Sequence, residues 1–260
     1  MTEASAAASP PDPFRTMAGT TLMQLTVVES SRVSPNMQRL VLTAPELADF
    51  EYLPGQDIML LVDTDGGRPV RRRYSIKALD RARQLITLDI VRHAGGGPGE
   101  RWVQATGPGM TVEGIGPRGK VHPDPDADWH LFVGDESAMA AIFSMAGSLP
   151  AHATATLILE VPEPADEQEF EPRATAEVIW LPRLGARPAG APDALVEAAR
   201  KVDIPSGRPH AYLIGEARVL LALRETLQAR GLDPSLISPK AYWGRGKGNA
   251  SHGEPARDQI

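Results

Sequence analysis

Val70-Arg71-Arg72-Arg73-Tyr74-Ser75-Ile76-Lys77 is the stretch on which the reading of this chain turns. A guanidinium is a fixed cation with planar donors that suit a pyrophosphate. The Tyr74 ring can lie flat against an isoalloxazine, and its hydroxyl can reach a ribityl or phosphate oxygen. Ser75, one step on, can hydrogen-bond the polar edge of such a ring. In an extended strand Arg72 and Tyr74 project to one side, and Arg73 and Ser75 to the other. Arg72 and Tyr74 can then face one ligand together, with Ser75 reaching it only near a strand end or bend. Alone, so short a pattern is better explained as an amphipathic surface strand with solvated arginines.

Its surroundings change that balance. Residues 93–102 read His-Ala-Gly-Gly-Gly-Pro-Gly-Glu-Arg-Trp, where glycines ending at Pro98 open a short amphipathic run. That is the signature of a helix N-terminus, which offers N–H groups and a positive dipole end to an anion. Further on come Val133-Gly134-Asp135-Glu136-Ser137-Ala138, Ile214-Gly215-Glu216-Ala217 and Ala241-Tyr242-Trp243-Gly244-Arg245-Gly246.

The coarse pattern divides the chain. Strand-like runs over Leu22–Ser31, Gln38–Leu42, Ile58–Asp63, Arg71–Ala78 and Gln84–Val91 carry turn signals between them. They predict a small antiparallel barrel, interrupted by one helix near Pro98–Thr106. After Pro123-Asp124-Pro125-Asp126 the pattern becomes strand then helix, repeated: His130–Val133, Ser137–Ser148, Ala153–Val161, Glu177–Leu181, Asp193–Lys201, Ala211–Ile214 and Glu216–Arg230. This predicts a parallel sheet with helices on its faces, and Gly134 and Gly215 fall just past two strand ends, where such sheets bind ligands. The expected units are a tail over 1–19, a barrel domain over 20–124, an α/β domain over 125–246 and a polar tail over 247–260.

Composition fits an enzyme working inside the cell. The 260 residues are 42% hydrophobic and 23% charged, with no cysteine, so disulfides, thiolate metal sites and Cys nucleophiles are excluded. A net charge of −6 and only thirteen aromatic residues argue against nucleic-acid binding. Met1 to Pro13 has no basic, apolar pattern of a secretory signal, and nothing is long and apolar enough to span a membrane. A monomer is the expected state.

The order of these motifs resembles the siderophore-interacting protein family, the FAD-dependent ferric-siderophore reductases within the ferredoxin-reductase-like flavoproteins. The resemblance runs from about Thr20 to Gly246. It is carried by Arg-x-Tyr-Ser at 72–75, His…Gly-Pro-x-x-Arg-Trp at 93–102, Gly-Pro-Arg-Gly at 116–119, Gly-Asp-Glu-Ser-Ala at 134–138, Gly-Glu-Ala at 215–217 and Tyr-Trp-x-Arg-Gly at 242–246. It implies an N-terminal FAD-binding barrel followed by an NAD(P)H-binding α/β domain, with NADPH or NADH as donor. The substrate it implies is a ferric siderophore in the cytoplasm, and a ferredoxin is a possible partner. FAD contacts would come from Arg72, Tyr74, Ser75, Ile76 and Lys77, then from Val91, His93, Gly97, Pro98, Gly99 and Trp102. Gly134, Asp135, Glu136, Ser137, Gly215 and Glu216 would serve the nicotinamide end. Trp243, Arg245 and Lys247 would receive the iron chelate. No metal ligand and no catalytic acid, base or nucleophile is implied, since electrons pass from nicotinamide through flavin to Fe(III).

Several positions depart from the family. Gly99-Glu100 stands where relatives have Ala-Ser, which would put an anion beside the pyrophosphate unless Glu100 turns outward as a first-turn carboxylate. On sequence alone, Glu100→Ser is expected to tighten FAD. Lys77 replaces an arginine and loses its fork. Gly244 replaces a basic residue, and Ala140 a proline. Asp135, Glu136 and Glu216 have a simpler reading as helix-capping acids, and Trp102 as core. Gly114-x-Gly116-x-x-Gly119 matches a dinucleotide fingerprint by letter, but Lys-Val-His-Pro cannot open a helix, so a tight turn near the flavin is expected there instead. The acidic run Pro162–Arg173 reads as a solvated loop. Two rival functions remain: a flavin or quinone reductase or electron-transfer protein of the same fold, and a flavin-defective binding protein.

Overall fold

The computed structural model describes residues 19–65, 68–93 and 95–245. Strands β1 (Thr21–Ser34), β2 (Met37–Thr43), β3 (Asp57–Asp65), β4 (Arg68–Asp80), β5 (Leu85–Val91) and β6 (Thr111–Arg118) close an antiparallel barrel in the order β1-β2-β5-β4-β3-β6. Period-two alternation does the sorting. Ile58, Leu60 and Val62 of β3 and Ile86, Leu88 and Ile90 of β5 fill the barrel, so Asp57, Met59 and Asp89 point out of it. Helix α1 (Pro98–Ala105) enters between β5 and β6 and sets Val103 and Trp102 on the barrel core.

The run Thr111–Arg118 is the strand that closes the barrel, where the sequence had suggested a tight turn. The reason is local crowding. A methyl at Gly114 would lie 2.8 Å from a Leu60 methyl and 2.9 Å from one of Leu25. Only glycine lets β1 and β3 meet β6 this closely, so a residue with poor strand propensity is required in a strand.

The second half is a parallel sheet of β7 (Trp129–Asp135), β8 (Thr154–Val161), β9 (Thr175–Pro182), β10 (Pro209–Glu216) and β11 (Ile237–Trp243), ordered β11-β10-β7-β8-β9. Helices α2 (Met139–Gly147), α3 (Asp193–Lys201) and α4 (Ala217–Ala229) connect it. The chain reverses direction across the sheet between β7 and β10, which opens the crevice that such sheets use for ligands. Helix α2 is buried on all sides because it is packed between sheet and barrel. Its Phe143 and Met145 share a core with Met37 and Val121 from the barrel half.

The acidic run Pro162–Arg173 is not simply solvated. Asp166, 2% exposed, grips the β1–β2 turn: its carboxylate accepts from the Ser34 hydroxyl at 2.7 Å, the Asn36 backbone N–H at 2.9 Å and the Asn36 side-chain amide at 2.8 Å. Burial pushes this carboxyl's pKa up, but the donors of Asn36 and Ser34 outweigh it and hold the group below its ordinary 3.8. A depressed folded pKa means the stabilisation is present above the unfolded value and is lost as pH falls through the folded one. Asp166→Ala is therefore expected to lower stability by about 1–3 kcal/mol at neutral pH. Urea denaturation at a series of pH values should find that difference shrinking below the ordinary carboxylate value.

Candidate active site: a cleft between barrel and sheet

A cavity of about 860 Å³ lies between the β3–β4–β5 wall, the start of α1, and the carboxyl ends of β7 and β11. On the barrel side, Arg72 and Tyr74 share one face of β4, as the alternation requires. Tyr74 stacks on Trp102 of α1, with ring centroids 6.0 Å apart and planes 19° apart. This supports Trp102 as a packing residue behind Tyr74, outside the cavity wall. A methyl on Gly99 would lie 3.2 Å from both Arg72 Cγ and Tyr74 Oη, so glycine is what lets the first turn of α1 close on them. The helix begins at Gly97 with no side-chain cap, leaving first-turn N–H groups for an external acceptor.

Arg72 donates to the Arg71 carbonyl at 2.8 Å and, among the described residues, has no carboxylate in ion-pair range. Burial pulls its pKa down, the mark of a cation held without a counter-charge. Burial also pushes the Tyr74 phenol up, so it stays a neutral donor. A half-buried arginine, a helix N-terminus and a flat phenol, brought together by Gly99 at the wall of the cavity, make a fitting cradle for a dinucleotide pyrophosphate and ring.

Glu100 behaves differently from its sequence reading. It lines the cavity without turning out to solvent, and its side chain is 6% exposed. Its carboxylate accepts from the His93 backbone N–H at 2.6 Å and from the Gln104 amide, with Arg92 Nε 4.0 Å away. It ties the loop after β5 to α1. His93 itself is exposed at the cavity edge, with Val91 and Gly97 beside it.

Lys77 is turned away from the cavity. Its ammonium sits 2.5 Å from Asp89, which also takes both donors of Arg39 at 2.7 and 2.8 Å. Ile76 is fully buried in the barrel core, and Pro98 is the first residue of α1, between the cavity-lining Gly97 and Gly99. The sequence pattern gave these positions proximity to the site without saying which way they face.

The far wall binds barrel to sheet. Ser75 and Tyr242 share a hydroxyl–hydroxyl hydrogen bond of 2.7 Å. Arg73 donates twice to Asp57, at 2.8 and 2.6 Å, and Lys240 of β11 lies 3.2 Å from the same carboxylate and donates to the Gly55 carbonyl at 2.9 Å. Asp57 and Lys240 went unremarked in the sequence, since a single acid and a single lysine in strands carry no pattern.

At the sheet edge, Asp135 Oδ1 accepts from the Ser137 backbone N–H at 2.9 Å and from its hydroxyl, while Oδ2 accepts from the Trp243 indole at 2.9 Å. Burial, then the neighbouring Glu136, push the Asp135 carboxyl upward, and the Ser137 and Trp243 donors only partly oppose them. Gly134 and Gly215 are not cavity walls. A Cβ on Gly134 would meet the Ile214 carbonyl at 2.5 Å, and one on Gly215 would meet Asp135 at 2.7 Å. They are spacers that let β7 and β10 end side by side. Glu216 is the cap of α4, accepting from the N–H groups of Arg218 and Val219 at 2.6 and 3.0 Å and from that of Arg245 at 3.1 Å. Glu136 faces the cavity but is held by Arg183 at 2.6 and 2.7 Å, and Arg183 also bonds Glu160 at 3.0 Å. Arg245 lines the mouth, its Nε donating to the Ala189 carbonyl at 3.0 Å. Lys247 lies outside the described residues.

Barrel, parallel sheet and intervening cleft make up the ferredoxin-reductase-like fold. Within that class the comparisons are specific: the family description "Siderophore-interacting FAD-binding domain" matches residues 62–121, and "Siderophore-interacting protein" matches 127–246. An uncharacterized protein of Mycobacterium tuberculosis is 30% identical over 263 residues, covering 89% of this chain and 93% of the relative. The ferric vibriobactin reductase of Vibrio cholerae is 28% identical, covering 88% and 92%. The crystal structure of a siderophore utilization protein from T. fusca aligns with a TM-score of 0.79 at 29% identity, covering 90% of this chain and 95% of that one. The chain belongs to the siderophore-interacting protein family and carries its FAD-binding domain.

Because Glu100 braces the loop that frames the cradle, Glu100→Ser is expected to weaken FAD binding by about tenfold, the cost of losing a charged, buried hydrogen bond. Fluorescence titration of apoprotein with FAD measures it.

Proposed function

We propose that this protein is an NAD(P)H-dependent ferric-siderophore reductase that releases Fe(II) in the cytoplasm. The observation that carries the reading is the pair of facing walls: the Arg72–Gly99–Tyr74 cradle on the barrel and the Asp135–Trp243 edge of the sheet line one cavity. When bound, FAD would supply the redox chemistry that links a two-electron nicotinamide donor to one-electron Fe(III) acceptors.

The chain's own residues bind, orient and enclose. Arg72 and the first turn of α1 would neutralise the pyrophosphate, and Tyr74, backed by Trp102, would lie along the ring system. Ser75 would present its hydroxyl to the ring's polar edge, with Tyr242 fixing its rotamer. Gly134 and Gly215 keep the sheet edge low enough for a nicotinamide to approach, and Trp243, held by Asp135, would form the wall it packs on. Trp243 and Arg245 sit at the mouth, where an iron chelate would arrive. Loss of Fe(III) affinity on reduction releases the metal from hard oxygen ligands, so no protein acid or base is needed.

The test is anaerobic turnover with FAD-loaded protein, reading NADPH or NADH consumption against Fe(II) captured by a ferrous-specific chelator. Ferric-siderophore-dependent consumption with Fe(II) appearing supports the reading; oxidation by quinones but by no ferric siderophore overturns it in favour of a quinone reductase. Two variants separate cradle from scaffold. Arg72→Met is expected to weaken FAD by about tenfold or more, the loss of a charge-assisted contact to phosphate. Lys77→Met should instead lower the unfolding midpoint with FAD affinity little changed, because Lys77 pairs with Asp89 behind the wall.

A further inference from the structure

The loop over 183–192, between β9 and α3, carries no motif, yet it orients three of the sheet-side residues that line the cavity. Its first residue, Arg183, holds Glu136. Ala189 gives its carbonyl to Arg245 Nε at 3.0 Å, and Gly190 lies against the far edge of the Trp243 indole. The start of the loop is itself fixed, by the Arg183 N–H on the Val161 carbonyl at 2.9 Å and the Leu184 N–H on the Pro162 carbonyl at 3.0 Å.

Two glycines of this loop share the left-handed backbone region, Gly185 with a φ of +67° and Gly190 with +73°. Glycine suits both for that reason alone. Their surroundings separate them. A Cβ on Gly185 would meet nothing within 4 Å, whereas one on Gly190 would lie 2.9 Å from Trp243 Cη2, 2.9 Å from Glu216 Cγ and 3.4 Å from Arg245 Nε. Carbon atoms in contact rest at roughly 3.5–4.0 Å, so a methyl at Gly190 would displace the indole. Gly190 is buried while Pro188 and Ala189 are exposed, so the loop turns this one residue inward. At the other end of the ring, the indole N–H donates to Asp135 at 2.9 Å. A tryptophan ring has a broad χ2 well, and here it is held at both ends.

We propose that Gly190 is a positioning residue for the nicotinamide dinucleotide: with Asp135 it clamps Trp243 as a fixed wall, so the ligand meets a ring already in place. Ordering a side chain on binding costs affinity, and a clamp built into the loop removes that cost beforehand. The FAD cradle is built on β4 and α1, so flavin affinity does not depend on the clamp. The inference rests on the reductase reading above.

The probes are NADP+ and NAD+, which cannot reduce the flavin, titrated into FAD-loaded protein and read by the flavin difference spectrum. Gly190→Ala is expected to raise the Kd of whichever the unmodified protein binds more tightly by about fivefold or more, with the Kd of FAD changed by less than about twofold. Gly185→Ala strains the same loop in the same backbone region but points into open space, so it should leave both constants near those of the unmodified protein. Trp243→Phe removes the atom that would clash, and in that background Gly190→Ala should cost little. Equal effects of Gly185→Ala and Gly190→Ala overturn the inference, as does an undiminished cost in the Trp243→Phe background. If Gly190→Ala does not fold, fluorine NMR of the otherwise unmodified protein labelled with 5-fluorotryptophan carries the test. The resonance lost in Trp243→Phe is expected to be one narrow line with and without dinucleotide, and a broad or split line overturns the clamp. If NAD(P)H bleaches the flavin while neither oxidised dinucleotide binds, the preformed wall is wrong and the reductase reading stands. If neither NADPH nor NADH bleaches it, that reading falls and takes this one with it.

Discussion

One buried carboxylate fixes how the two halves meet. Asp57 leaves the barrel on β3, holds Arg73 of the neighbouring β4, and pairs with Lys240 of β11 from the sheet. Burial of Lys240 works against its charge, but Tyr242 and Asp57 outweigh that and keep its pKa above the ordinary lysine value. A cluster of this kind contributes little net stability over apolar packing, yet removing one member strands a buried charge, so it acts as a register. The Ser75–Tyr242 bond, the Asp166 grip on the β1–β2 turn and α2 packed between the halves all depend on the same alignment. Displace β11 from β3 and the cavity loses both its far wall and its depth.

From that alignment the division of labour follows. Among the described residues, the barrel brings a cation without a counter-charge, a helix start and a neutral phenol to one spot, the place proposed for an anionic dinucleotide. The sheet brings a carboxylate that holds an indole, next to a strand end kept low by two glycines. Each half is incomplete as a redox site. Side chains that would otherwise be drawn to the cofactor are retained elsewhere: Lys77 by Asp89, Glu216 by the α4 N-terminus, Glu136 by Arg183.

The barrel and the parallel sheet were legible because alternation and strand–helix rhythm are local properties. Gln84–Val91 and His130–Val133 announce themselves residue by residue. The closing strand at Thr111–Arg118 did not, since its Gly114 answers to crowding from Leu60 and Leu25, which sequence order does not reveal. Arg72, Tyr74 and Gly99, named from their motifs, do come together at the cavity wall, whereas the side chains of Lys77 and Glu100, in the same motifs, are paired with Asp89 and with the His93 backbone. Which partner a charged side chain takes is decided by the fold, and Asp89 and the His93 backbone were invisible as competitors. Asp57, Lys240, Arg183 and Asp166 carried no signal at all, because a long-range ion pair leaves no mark on either segment.

The account stands or falls on whether the cradle holds a flavin that the nicotinamide side can reach. The measurement is the visible absorption spectrum of the protein after loading with FAD and removal of excess by gel filtration, followed by anaerobic addition of NAD(P)H. Flavin bands that co-elute with the protein and then bleach are the predicted result. A colourless protein after loading, or bound flavin that neither NADPH nor NADH bleaches, would contradict it.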